Sequence, residues 1–176
     1  MADSATFDLG ETLRNGLTVR IRALRADDRQ RLAAAFRLLD RDTVYRRLFT
    51  FKNELTDADL DRLISVEPGH AAALVVTTGA GSNEIIIGSG RYVASGTTAE
   101  GRTAEVAFVV EEDYQNLGIA GRLLGHLAAL ARADGFAALE AEVLEQNGPM
   151  LAVFARCGLP MRSQRDQGIV HLTLSL

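Results

Sequence analysis

Residues 106–130 read VAFVVEEDYQNLGIAGRLLGHLAAL, and the order of elements in this stretch decides the fold. The opening VAFVV is an apolar run of the length and composition expected of a strand buried on both faces. An acidic, amide-rich turn follows, and then Gly118, Ala120 and Gly121. Beyond them Ile119, Leu123, Leu127, Leu130 and Ala131 recur at helical spacing, a stripe that must face a core. The reading is therefore strand, small-residue loop, helix. Side chains this small leave the first helical amides uncovered, and those amides have no acceptor within their own helix. The helix dipole adds about half a positive charge at that end, so the loop is suited to an anion such as a phosphate.

Working outward, residues 102–110 place Val106, Phe108 and Val110 on one strand face and Ala107 and Val109 on the other, with Glu105 as the one charge in an apolar setting. Residues 137–144 read as a strand parallel to it, because a helical crossover separates the two. Asn147, Gly148 and Pro149 open a further helix that ends near Cys157 and Gly158. Residues 159–165 and 169–174 read as a closing hairpin around Asp166, Gln167 and Gly168. Upstream, residues 71–78 and 84–94 form an antiparallel hairpin across the turn at 79–83.

Residues 17–24 alternate Leu17, Val19 and Ile21 with Thr18, Arg20 and Arg22, the pattern of a strand with one buried and one solvated face. Asp27 and Asp28 start a helix that runs through Leu32, Ala35, Phe36 and Leu39. A second helix is expected over 42–51, with Val44, Tyr45, Leu48 and Phe49 inward and Arg46 and Arg47 on a basic surface. Thr56 and Asp59 mark a capped third helix, stopped by Pro68 and Gly69. Residues 1–15 are expected to be loosely ordered, with 16–176 forming a single domain.

Composition narrows the functional classes. With 176 residues, 47% hydrophobic content and a net charge of −4, the chain fits one domain with a sizeable core. The negative balance argues against nucleic acid as a partner. Cys157 is the single cysteine, and His70, His126 and His171 lie far apart, so neither a disulfide framework nor metal-ligand spacing is expected. No basic, then apolar leader precedes residue 17, and no apolar run is long enough to cross a bilayer. A cytoplasmic location without membrane contact is the expectation, and a homodimer is compatible with it. Of the 19 basic residues only Lys52 is a lysine, and no Gly-x-x-x-x-Gly-Lys-Ser/Thr phosphate loop exists.

Gln115, Gly118 and Ala120 stand at the spacing Gln/Arg-x-x-Gly-x-Gly/Ala, which resembles the acyl-CoA pyrophosphate loop of the Gcn5-related N-acetyltransferases (GNAT). The likeness extends over most of the chain through its order of elements. Asn147 follows the strand where the family often carries an asparagine, and Gly158 with Leu159 resembles a later family marker. AEVAFVV with YQNLGIAG downstream, together with VRIRALRADD and TVYRRLFTF, is most similar to bacterial Pat-like protein lysine acetyltransferases. The resemblance implies an α/β (α+β) fold with a mixed central sheet of about six to seven strands and about five helices. It also implies acetyl-CoA as co-substrate, no metal, and a protein lysine as acceptor.

Residue by residue, the resemblance places the CoA pyrophosphate on Gln115, Asn116, Leu117, Gly118, Ile119, Ala120 and Gly121. The pantetheine arm would lie along Phe108, Val109 and Val110 like an added strand, touching Asn147, which also suits a helix cap. The amide of Val109 or Val110 would meet the oxyanion. Glu105 would be the general base. A lysine amine of pKa near 10.4 is neutral in only about one molecule in a few thousand at pH 7, a deprotonation cost of roughly 4.6 kcal/mol that a base must offset. Burial in the apolar strand would raise the Glu105 pKa and strengthen it as a base; pairing with Arg91 or Arg102 would make it structural instead. Phe154 stands where many relatives carry a tyrosine that protonates the leaving thiolate, so the thiolate can leave through solvent, with Tyr92, Tyr114 and His126 as weaker candidates for the acid. Two other readings follow. A small-amine acceptor would use an acidic cleft of Glu54, Asp57, Asp59 and Asp61, and the missing tyrosine would suit a non-catalytic acyl-CoA-binding module.

Overall fold

The computed structural model describes residues 4–48 and 52–176. Its elements are β1 (Asp8–Thr12), β2 (Thr18–Ala23), α1 (Arg29–Leu38), α2 (Arg41–Leu48), α3 (Asp57–Ile64), β3 (Ala71–Thr78), β4 (Ile85–Thr98), β5 (Gly101–Val110), α4 (Ile119–Ala133), β6 (Phe136–Leu144), α5 (Gly148–Ala155), β7 (Met161–Asp166) and β8 (Ile169–Ser175). The last residues of the expected 42–51 helix, Phe49 among them, lie outside the described residues.

The strands make one mixed sheet in the order β1-β2-β3-β4-β5-β6-β8-β7. Every pairing is antiparallel except β5 with β6, which α4 connects as a crossover. The apolar stripe of α4 is buried against the sheet through Leu123, Leu124, Leu127 and Leu130, joined by Phe108 of β5 and Phe154 of α5. Gly90 permits this contact, because a Cβ there would stand 2.8 Å from the Phe108 ring and 3.0 Å from Leu127. A smaller core on the opposite face joins Leu32 of α1 and Leu60 of α3 to Val75 and Ile86. Thr56 caps α3 by accepting from the Asp59 amide, as the sequence indicates.

Three expectations are corrected. The sheet has eight strands, more than the six to seven expected, because residues 8–12 are a strand and not a loose segment. This β1 pairs antiparallel with β2 from Asp8↔Arg22 to Thr12↔Thr18, and its side chains reach α4: Glu11 binds His126 at 2.7 Å and Arg122 at 2.5 Å. Polar composition alone hid a strand that is held by edge pairing and ion pairs. The third correction concerns Arg22, which alternation placed in solvent and which is only 1% exposed. Its guanidinium donates to both carboxylate oxygens of Asp28 at 2.7 and 2.8 Å and to Glu84 at 3.2 Å. A buried charge requires such partners, and they lie on segments that a single-strand pattern does not see.

Candidate active site

A cleft opens inside the sheet. β5 and β6 pair only from Arg102↔Phe136 to Glu105↔Glu140. Beyond Glu105 the strands part, while residues 106–110 keep their partners on β4. The β6 side of β5 therefore presents main-chain groups with no strand to bond, and a buried backbone group needs a partner. The cleft has a volume of about 640 Å³ and is lined by Phe108, Val109 and Val110 on one wall and by Ala141 and Val143 on the other. That volume falls within the range usual for a small-molecule site.

The loop singled out in the sequence closes one end of this cleft. Gly118 takes the left-handed conformation at φ 89° as the residue before α4, and Asn116 is also left-handed at φ 62°. The first bond within the helix runs from Arg122 N–H to Gly118 C=O, so the amides of Ile119, Ala120 and Gly121 have no helical acceptor. Gln115 donates from its side chain to Val110 C=O at 3.0 Å, tying the loop to the end of β5. Gln115, Asn116, Gly118, Ile119, Ala120 and Gly121 all line the cleft. Leu117 instead packs against the main core, and its carbonyl accepts from Arg122.

Sequence reading missed the charge around this loop. Arg14, in the β1–β2 turn, and Arg122, in the first turn of α4, both line the cleft and both approach Gly118. Arg46 and Arg156 line it too. Arg122 was detectable, being four residues after Gly118 and hence over the first turn. Arg14 was not, because its position depends on β1. A substitution Gly118→Val would carry a left-handed backbone cost of about 1–2 kcal/mol and would push aside the Arg122 guanidinium, whose Nη1 lies 2.7 Å from the new Cβ. Calorimetric titration of acetyl-CoA is expected to show at least a roughly tenfold weaker Kd; parent-like affinity would remove the loop from donor binding.

On the far wall, Asn147 is 9% exposed and its side chain accepts from the Met150 amide at 3.3 Å. It caps α5 and lines the cleft as well. Phe154 is buried against Phe108, with ring centroids 5.8 Å apart, so it is a wall of the cleft without a proton to give. Cys157 lines the cleft, half-buried.

Glu105 sits where β5 and β6 begin to part, but the burial expected of it is absent: its side chain is exposed. The β5 faces are unequal, with Val106, Phe108 and Val110 buried and the opposite face only partly covered. Neither suggested arginine pairs with Glu105. Arg102 donates to the carbonyls of Asp134 and Gly69 and lies over the Phe136 ring, while Arg91 donates to Arg62 C=O. The carboxylate is thus open to water and to an incoming amine.

A second, smaller cavity of about 100 Å³ lies on the Glu105 face of the sheet beneath α1, α2 and α3. Its lining is mostly apolar but includes Arg47, Arg91, Ser89 and Glu111. Burial pushes the Glu111 carboxyl above its ordinary range, and one of its oxygens has no hydrogen-bond partner.

The family model described as Acetyltransferase (GNAT) family matches residues 32–159, a span that contains the strand, the loop, α4 and the far wall of the cleft. The chain belongs to the GNAT acetyltransferase family. Acetyltransferase PA5475 of Pseudomonas aeruginosa is 30% identical over 156 residues, covering 89% of this chain and 81% of that one. Acetyltransferase Pat of Mycolicibacterium smegmatis is 35% identical over 129 residues, covering 73% of this chain; the match spans only 37% of that protein's length. The crystal structure of the GNAT domain of S. lividans PAT superposes with a TM-score of 0.86 at 32% identity, covering 96% of this acetyltransferase and 97% of that chain. Fold, family and N-acetyltransferase class agree with the sequence reading, as does the likeness to the Pat group. No described helix of this acetyltransferase is long and apolar enough to cross a membrane.

Proposed function

We propose that this acetyltransferase takes acetyl-CoA as donor and passes the acetyl group directly to the ε-amine of a protein lysine within a ternary complex. The observation that carries the reading is the parting of β5 from β6, which opens at Glu105 and ends on the loop at residues 115–121. A donor laid along it would have its pyrophosphate on the loop amides, with Arg14 and Arg122 beside them. Its pantetheine arm would bond the open edge of residues 108–110 as an added strand and touch Asn147. The thioester would then lie toward Glu105, within reach of the amide of Val109 or Val110 for its oxyanion.

Attack by the neutral amine on the thioester carbonyl forms the C–N bond, and collapse breaks the C–S bond. Glu105, directly or through one water, takes the amine proton. Its exposure leaves a path for that water. The CoA thiolate takes its proton from solvent, because Phe154 offers none. Likeness to the two Pat proteins supports lysine as acceptor.

The acidic-cleft argument for a small-amine acceptor is weakened. Asp57 and Asp61 are both bound by Arg29, and Asp59 is held by Lys52 and Thr56, so of the four residues Glu54, Asp57, Asp59 and Asp61 three are already engaged in bracing α3. Initial rates with both substrates varied distinguish the mechanisms. Intersecting double-reciprocal lines, with no acetyl-enzyme by mass spectrometry, are expected; parallel lines with acetylated Cys157 would show a covalent relay.

A further inference from the structure

The face of the sheet that carries Glu105 also holds two arginines without a carboxylate. In the β4–β5 register Arg91 stands opposite Ala107, Ser89 opposite Val109, and Val93 opposite Glu105. Side chains alternate along a strand, so Arg91, Ser89, Glu105, Val109 and Glu111 share one face, away from α4. Arg91 donates from Nη1 to Arg62 C=O at 3.1 Å, but its Nε is buried without a partner. Arg47, half-buried on α2, lines both the small cavity and the donor cleft. Among the described residues neither guanidinium has an ion-pair partner within 4 Å.

Charges withdrawn from water are ordinarily paired, and Arg47 and Arg91 are both half-buried. Here two like charges border one apolar cavity. Burial and the charge of Arg91 both lower the Arg47 pKa, while Glu105 opposes them as the weakest of the three influences. Glu111 supplies no compensation to Arg91, since its own buried oxygen is equally without a partner. The remaining walls near Arg47 are Phe36, Leu39, Val44 and Leu48, which offer neither donor nor acceptor side chains. The arrangement lacks an anion, and guanidinium groups favour carboxylates above all because the two planar groups match in two parallel hydrogen bonds.

Building on the acetyl-transfer reading, we infer that Arg47 and Arg91 form a carboxylate subsite of the acceptor. The favoured substrate bears its reactive amine close to a carboxylate, with an apolar arm between them lying against the cavity wall. In a protein this is a lysine flanked by aspartate or glutamate; in a small molecule it is a free amino acid. Arg47 stands between cavity and donor cleft, which puts the acceptor carboxylate on the cavity side while the amine reaches Glu105.

The test uses matched peptides with one lysine flanked by Glu, by Gln or by Arg, together with free amino acids and their amides. They are assayed with the parent chain and with Arg47→Gln, Arg47→Lys and Arg91→Gln, each checked for an unchanged thermal transition. The parent is expected to favour the Glu-flanked peptide over the Gln-flanked one by roughly tenfold in kcat/KM, as suits one charge-assisted contact. Arg47→Gln should erase that preference with acetyl-CoA KM unchanged, and Arg47→Lys should restore part of it. Equal use of the Glu- and Gln-flanked peptides by the parent overturns the subsite. A rise in acetyl-CoA KM with the preference intact would assign Arg47 to the donor and overturn it equally. Use of free amino acids, but not of their amides or of any peptide, would keep the subsite and remove the protein-lysine reading. Absence of turnover with every acceptor, against intact acetyl-CoA binding, would overturn the acetyl-transfer reading and the subsite with it.

Discussion

The Glu105→Gln variant is expected to bind acetyl-CoA as tightly as the parent and to transfer the acetyl group at least roughly 100-fold more slowly, the scale of a lost general base. Main-chain groups of β5 and the loop would hold the donor, and none of these changes with the Glu105 side chain. Glutamine keeps the size and exposure of the residue but cannot accept the proton. With deprotonation of a lysine costing roughly 4.6 kcal/mol at pH 7, the variant must use the small fraction of amine that is already neutral. Its rate should therefore climb about tenfold per pH unit toward the amine pKa, while the parent profile flattens earlier. Initial rates across that range check both statements. A parent-like rate and profile in the variant would leave water or another group as the base.

Asp28→Asn is expected to be the most damaging single change to stability, costing about 3–5 kcal/mol as the penalty for breaking a buried ion pair from one side. Asp28 is fully buried and accepts from Arg22, from Arg31 and from the Arg25 amide. Asparagine removes the charge and turns an N–H₂ toward these donors, leaving the buried Arg22 guanidinium with Glu84 as its carboxylate partner and the Ala23 carbonyl as its other acceptor. For a chain of this length the loss corresponds to a fall in Tm on the order of 10 °C. The same pair sets an acid limit. Burial pushes the Asp28 carboxyl up, but the hydrogen bonds from Arg22 and the Arg25 amide outweigh it and hold the group below its ordinary value of 3.8. A depressed folded-state pKa contributes stability that is complete above the unfolded value and is lost as pH falls through the folded one. The parent should thus lose stability below about pH 4, and the variant should lose less there because its share is already gone. Urea denaturation at pH 7 and through the acid range measures both, and an unchanged midpoint at pH 7 would contradict the role given to the pair.

The strand, loop and helix of residues 106–130 were legible because each follows a local rule: an apolar run, small residues at a helix start, and a stripe at 3.6-residue spacing. Asn147 was legible for the same reason, since a helix cap is read from its immediate neighbours. What escaped depends on residues distant in the chain. Arg22 obeys strand alternation and is nevertheless buried, because Asp28 and Glu84 reach it from other segments. Residues 8–12 have no apolar pattern, and their strand exists through pairing with β2 and through Glu11 on α4. Glu105 was expected to be buried by its apolar neighbours, but its side chain lies on the face of β5 that is only partly covered, a tertiary feature that no one-dimensional pattern encodes. The parting of β5 from β6 begins just beyond it, and on the proposed reading that puts it beside the donor.

The most direct measurement follows thiol release from acetyl-CoA, with and without lysine-containing acceptors, in the parent chain and in Glu105→Gln. Release that requires an amine, yields N-acetylated acceptor in equal amount and nearly vanishes in the variant is the predicted result. Tight acetyl-CoA binding with no amine-dependent release from any acceptor would contradict the account and make the cleft a binding module.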